Sequence, residues 1–479
     1  MLGSRKSHLD MTQGSASKLL ISFAIPLLLG NLFQQFYNMV DVWVVGRYVS
    51  NEAFAAVGTV SPAISTLIAL FFGFTQGTGI VLSQYFGAKN NEKVHEAVHT
   101  SFLISIFLAV VFTVLGIAAT PVLLHAMRTP DNVFPEAAAY LRIYFGGITG
   151  LMFYNLSAAM LRSVGDSGRP FRYLVISQII NIILDLVFVI AFNMGVAGVA
   201  WATIIAQFVS AVLGVRALLV TDAPIKVDLS ELKVHGEMAK TIINVSIPAA
   251  IQGAIVSISN LFVQSYINSF GGNVMSGYTA FHKIDQIIIM PFTSISTATA
   301  TFVGQNLGAG QVDRAKKGVR TSIAMSFAIT IALGAVAMFF APTFVAFFNN
   351  KPEVIEYGTL FLRWITPFYL CSCVNHIQAS AMRGAGDTKT PMYLMISTYV
   401  VARQIFMFIM ANFICNEPLP VIMGYPFSWA LCTVFTIIAY MRLDMSKTRI
   451  VKESENRAKA AAAQAAADGS KDGAQAPEK

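Results

Sequence analysis

Long apolar runs separated by short polar loops make up the chain from about residue 19 to residue 441. Each run reaches the 20 or so mostly apolar residues that one crossing of a bilayer needs. Twelve stretches qualify, at roughly 19–45, 53–81, 98–125, 135–159, 172–193, 196–219, 241–267, 276–303, 320–347, 356–381, 390–412 and 419–441. None alternates apolar and polar residues as a barrel strand does, and helix is then the open-chain way to satisfy the backbone in lipid. The pattern predicts an all-α integral membrane protein of twelve transmembrane helices. The first stretch lacks a small-residue cleavage site and reads as a retained helix, not a removed signal.

Composition supports this reading. Apolar residues are 55% of the 479 and charged residues 12%, about half the share a soluble protein carries. The net charge of +8 brings nucleic acid to mind, but the basic residues are spread through short loops and form no patch that a phosphate backbone would need. Their placement sets the orientation instead. One set of segments holds Arg5, Lys6, Lys18, Lys89, Lys93, Arg162, Arg169, Arg172, Arg216, Lys226, Lys233, Lys240, Arg314, Lys316, Lys317, Arg320, Arg383, Lys389 and the basic residues from Arg442 onward. The opposite loops hold Arg47, Arg128 and Lys351. Both termini are expected in the cytoplasm. Cys371, Cys373, Cys415 and Cys432 show no metal-binding spacing and read as packing residues. The alanine-rich end lacks the apolar residues of a core and reads as a disordered tail.

The chain is also a duplication. A shift of 221 places Gln84, Gly87 and Ala88 on Gln305, Gly308 and Ala309, and Arg162, Gly165, Asp166 and Pro170 on Arg383, Gly386, Asp387 and Pro391. Near the start of each half the shift is 222, pairing Pro26 with Pro248. Six helices per half give the halves one orientation, as in transporters built of parallel repeats that rock about a site between them. The expected domains are a cytoplasmic N-terminus at 1–18, a lobe at 19–220, a linker at 221–240, a second lobe at 241–443 and the tail at 444–479. Paired loops of Gly and Asp also suit simple turns.

Ionisable groups inside a span are costly and mark candidate sites. The first half offers Asp41 on its first helix, Asn181 and Asp185 four residues apart on its fifth, and Thr203 on its sixth. Helical rise places the two acids and Thr203 at similar depth in the outer half of the bilayer. Carboxylates, an amide and a hydroxyl suit sodium, and a carboxyl in apolar surroundings readily takes up a proton. The second half lacks this set, since Asp41 falls near Val263 and Asp185 on Phe406. Candidates for a substrate pathway are Gln34, Tyr37, Asn38, Asn155, Gln252, Asn260, His282 and Arg403, with Asp285 beside His282. Basic residues in the interior reduce to Arg142, Lys283, Arg363 and Arg403. Pro26 removes one hydrogen bond from the first helix and marks a hinge.

The segment DMTQGSASKLLISFAIPLLLGNLFQQFYNMVDVWVVGRYVSNEAFAAVG and the paired loops SQYFGA/GQNLGA and RSVGDSGRP/RGAGDTKTP resemble the multidrug and toxic compound extrusion (MATE) family, nearest its DinF-like branch. The resemblance implies two six-helix lobes of the MATE fold and no enzymatic activity. It implies antiport by alternating access of amphipathic, often cationic, drugs or toxic metabolites against inward protons or sodium. Asp41, Asn181 and Asp185 match that branch's coupling residues, with Thr203 as the hydroxyl, and sodium would bind there if it is the driving ion. A flippase for lipid-linked or polysaccharide precursors is the alternative within the wider superfamily. No cofactor beyond the coupling ion and no nucleic acid or obligate protein partner is implied. Lipid surrounds the protein, and the plasma membrane of a bacterium is the expected location.

Overall fold

The computed structural model describes residues 9–49, 51–446 and 450–451. Most of the tail expected at 444–479, and the first eight residues of the N-terminus, lie outside the described residues.

Among the described residues, twelve crossings are present, in two sets of six. The first lobe comprises α1 (Ala16–Tyr48), α2 (Asn51–Gly87), α3 (Asn91–Ala126), α4 (Phe134–Gly146 with Ile148–Ser163), α5 (Gly168–Leu186) and α6 (Gly195–Val220). The second comprises α7 (Gly236–Ser269), α8 (Gly272–Gly308), α9 (Val312–Phe339), α10 (Pro352–Ile365 with Tyr369–Gly384), α11 (from Lys389 to Ile414) and α12 (Pro418–Ile422 with Gly424–Arg442). Several helices extend past the apolar runs because their ends continue into the interfaces.

The sequence pattern treats α4 and α10 as unbroken spans, and the structure corrects this. Among the described residues, ten helical segments are each long and apolar enough to cross a membrane, and α4 and α10 are not among them. α4 breaks at Gly147, beside a second glycine at 146, where the missing side chains leave the helix weakly favoured. α10 breaks through a 3₁₀ turn, Thr366–Phe368. Pro367 lacks an amide hydrogen and crowds the preceding turn. The shift of 221 that aligns the halves carries Gly147 onto Phe368, so the two breaks are equivalent. α5 and α11 share another feature, π-helical turns at Val187–Ala191 and at Ile396–Ala402 and Met410–Ile414.

The lobes meet closely at the face that carries the basic loops. There α2 and α8 cross backbone to backbone. A Cβ on Gly87 would lie 2.0 Å from the Gln305 carbonyl oxygen, and one on Gly308 would lie 2.0 Å from that of Gln84. Gln84 Nε2 donates to the Gly384 carbonyl at 2.7 Å, and Gln305 Nε2 donates to the Ser163 carbonyl at 2.7 Å. The duplication maps each of these bonds onto the other. All four residues are buried, so the basic face is closed. The N-terminal segment lies across this closure. The Met11 amide donates to Gln305 Oε1 at 3.0 Å, and the Met11 carbonyl accepts from Asn306 Nδ2 at 3.0 Å and Arg314 at 3.2 Å. Ile450 packs beside Gly386 on the same face, so both described ends of the chain sit there.

The paired Gly-Asp loops are turns with a structural task. Gly165 and Gly386 hold φ of +86° and +91°, where a side chain would be strained. The Asp166 carboxylate then accepts from the Arg169 amide at 3.0 Å, and Asp387 from the Thr390 amide at 3.1 Å, capping α5 and α11.

The connection between lobes is shorter than the 20 polar residues at 221–240 suggest, because α7 already begins at Gly236. It is also docked, not solvated, with Ile225 and Val227 buried. Buried His99 on α3 fastens it. Its Nδ1 faces the His95 carbonyl at 2.8 Å, and its Nε2 accepts from the Asp228 amide at 2.9 Å. That pair of partners assigns the proton to Nδ1. We expect His99→Ala to lower the thermal midpoint while leaving transport intact, since it removes a buried ring and its bond to the linker, the hydrogen bond alone being worth about 0.5–1.5 kcal/mol. A melting curve and an efflux assay on the same preparation check both halves of that expectation.

Candidate functional site

The residues that sequence places at one depth do converge in the first lobe. Asp41 stands 7 residues before the end of α1 and Thr203 stands 8 after the start of α6, or roughly 10–12 Å from those helix ends at 1.5 Å per residue. Asp185 occupies the last turn of α5 before the π-helical turn. A π turn widens the ladder locally and is frequent at functional positions. Asn181 Nδ2 donates to Asp185 Oδ2 at 3.3 Å. The Tyr37 hydroxyl on α1 lies 3.5 Å from Thr203 Oγ1 on α6, and Thr203 itself donates to the Val199 carbonyl at 3.0 Å.

Asp185 and Asn181 are buried, at 0% and 2% exposure, and Asp41 is half-buried. Oδ1 of Asp41 and Oδ1 of Asp185 are both sequestered without a hydrogen-bond partner. The ion pairs among the described residues involve Lys93, His95, Arg169 and His282, none of them at this site. A buried carboxylate without a counter-charge must be neutralised. A proton or a small cation can do so, and the oxygens of Asp41, Asp185, Tyr37, Thr203 and Asn181 are the hard donors that sodium takes. Tyr140 on α4 is buried in the same lobe, within electrostatic range of both carboxyls. It is absent from the sequence candidates because a tyrosine in an apolar run carries no signal of its own. Among the described residues no group of three or more His, Cys, Asp or Glu could hold a transition metal.

A protein-family model, MatE, matches residues 26–187 and again residues 248–409. The chain belongs to the MatE family. The two matches begin 222 residues apart, the offset that pairs Pro26 with Pro248. Among relatives of this MatE protein, the Bacillus subtilis "Probable multidrug resistance protein YpnP" is 26% identical over 433 residues, covering 90% of this chain and 97% of the relative. The "Probable multidrug resistance protein YoeA" of the same organism is 28% identical over 437 residues, covering 90% and 94%. In fold, the chain is similar to a solved structure described as the outward-facing conformation of a multidrug resistance MATE family transporter. The TM-score is 0.84 at 24% identity, over 95% of this chain and 100% of the other. The chain is thus a multi-pass membrane transporter and not an enzyme.

The remaining candidates of this MatE protein scatter. Gln252 lines a cavity of about 370 Å³ between the lobes. Gln34 and Asn38 are exposed on α1, and Asn155 donates to the Leu151 carbonyl at 2.8 Å within α4. Asn260, His282 and Arg403 belong to a network inside the second lobe. Buried Arg403 donates to Ser259 Oγ at 2.8 Å and to Asn260 Oδ1 at 3.0 Å, and lies 4.8 Å from the Tyr425 ring centre. His282 Nδ1 is 3.5 Å from Asp285 Oδ2, and the Tyr369 hydroxyl bonds Asp285 Oδ1. The four cysteines are free thiols. Two residues assigned to loops by sequence are corrected: Arg162 and Arg383 lie in the last turns of α4 and α10 and line the interlobe cavity.

Proposed function

We propose that this MatE protein is an antiporter that exports amphipathic organic molecules in exchange for protons or sodium, by alternating access between its lobes. The observation that carries this reading is the pair of sequestered carboxyl groups on α1 and α5, each with an oxygen lacking any partner. Neutralisation by an inward-moving cation would let the site change state, and its release would reset it. That is the differential affinity between states that coupling requires. Membership of a transporter family and relatives named multidrug resistance proteins support the cargo class. The basic face is cytoplasmic in this proposal, following the lysine and arginine bias, so the closed clasp of Gln84 and Gln305 gives a cavity shut from the cytoplasm.

Proteoliposomes with the purified protein and an entrapped dye test this directly, with pH and sodium gradients imposed separately. Transport driven by one gradient and not by the other supports the proposal and names the ion. Equal rates with no gradient present would refute it. Pro26 enters as the hinge of α1, which runs unbroken through it with one hydrogen bond missing. Pro26→Ala is expected to insert normally and to transport several-fold more slowly in the same vesicles. Wild-type turnover would show that α1 does not bend there.

A further inference from the structure

The cavity between the lobes carries two guanidinium groups and no carboxylate. Arg162 and Arg383 are equivalent residues of the two halves, one from each lobe, and both face the same space. Gln76, Gln252, Thr297, His376 and Ser380 supply further polar groups, and Leu27 and Phe72 supply apolar wall. Arg383 is 7% exposed. It donates to Gln252 Oε1 at 3.3 Å and Ser380 Oγ at 3.2 Å, and its Nε is buried without a partner. Among the described residues, none of the four ion pairs holds the Arg162 guanidinium, and it makes no hydrogen bond.

A structural arginine is ordinarily tied down by carbonyls or a carboxylate, as Arg314 is tied to the carbonyls of Met11 and Gly14. Arg162 is not tied. Two positive charges that share a space of low dielectric repel each other, and an anion between them relieves that repulsion. The planar fork of each guanidinium matches a carboxylate or a phosphate, which can accept two hydrogen bonds from each. The cavity volume of about 370 Å³ suits a small organic molecule.

We infer that the interlobe cavity is an organic-anion site, in which Arg162 and Arg383 together hold the carboxylate or phosphate group of an amphipathic solute. The inference rests on the antiport proposal only in taking this cavity as the cargo site. An anion held there is shared by both lobes, so it draws them together at the closed basic face. The coupling cation binds elsewhere, wholly within the first lobe, and cargo and ion do not compete for one set of residues.

Binding to the purified full-length protein in detergent tests the inference without any transport step. Carboxyfluorescein serves as the anionic probe and ethidium as the cationic one, each followed by fluorescence anisotropy. Carboxyfluorescein should bind the wild type, bind Arg162→Gln at least about tenfold more weakly, and fail to bind the Arg162→Gln/Arg383→Gln double variant. Arg162→Lys should recover part of the loss, and ethidium should bind all variants at least as well as the wild type. Phenyl phosphate and benzoate, added as competitors, distinguish a phosphate preference from a carboxylate one. Arg162→Gln breaks no internal hydrogen bond, so it remains informative even where changes at Arg383 prevent folding. Wild-type affinity for carboxyfluorescein in Arg162→Gln, or no binding of it to the wild type, would overturn the inference. Failure of the antiport proposal would look different: anion binding would persist while neither gradient moved any dye.

Discussion

Asp185→Asn is expected to reduce gradient-driven efflux to the background of empty vesicles. The side chain sits at 0% exposure and receives the Asn181 amide on one oxygen, while its other oxygen has no partner. Asparagine preserves its size and can still meet Asn181 after an amide flip. It cannot take up a proton as a charge-neutralising step, and it offers a cation no charge. Stability should change by no more than about 1 kcal/mol, because no counter-ion is orphaned. Asp41→Asn should act alike. Asn181→Ala and Thr203→Ala each remove one oxygen donor and should weaken ion affinity by about tenfold without uncoupling, roughly 1.4 kcal/mol apiece. The deciding measurement is efflux by Asp185→Asn in vesicles carrying both gradients. Rates equal to wild type would exclude Asp185 and shift attention to the Asp285 network of the second lobe.

The second large effect belongs to the closed face. Gly308→Val places a branched side chain where a Cβ alone would lie 2.0 Å from the Gln84 carbonyl oxygen. That contact is between backbones, so neither side can yield by changing rotamer, and the lobes must part instead. The variant should insert and fold, hold the basic face open, and transport nothing. Ser83 is fully buried at this seam and reports its state. In a chain lacking Cys371, Cys373, Cys415 and Cys432, Ser83→Cys should react with a maleimide at least about tenfold faster when Gly308→Val is present, as expected of a strong shift in population. Gly87→Val should reproduce the result from the other lobe. Continued protection of the thiol would show that the seam absorbs the side chain.

Much of this fold is written in the apolar pattern, because lipid leaves a chain few alternatives to helix. The breaks in α4 and α10 are marked in the sequence by Gly146-Gly147 and Pro367, yet an apolar run alone does not distinguish a kinked crossing from a straight one. The acids Asp41 and Asp185 stand out because charge inside an apolar run is rare. Tyr140 does not, since its role comes only from which helix faces it. Arg162 and Arg383 mislead for a related reason. They lie next to turn residues, and counting charges by segment cannot tell a last-turn arginine pointing inward from one pointing to water. Only the packing of α4 and α10 against the opposite lobe reveals the direction. The docked linker escapes notice likewise, because the partner of His99 in it is the Asp228 backbone, more than a hundred residues away.

The clasp of Gln84 on Gly384 and Gln305 on Ser163 is one contact made twice. A free-standing six-helix chain bearing one such glutamine and one such carbonyl would therefore close upon a second copy as an isologous dimer. Its twofold axis would run along the membrane normal, since an even helix count gives both copies one orientation. Joining those copies end to end needs only a short connection on one side, and leaves every contact of the seam as it was. What fusion adds is the freedom for the copies to differ. In this chain that freedom was used to place the carboxyl pair in one half alone, while the two arginines of the shared cavity stayed matched.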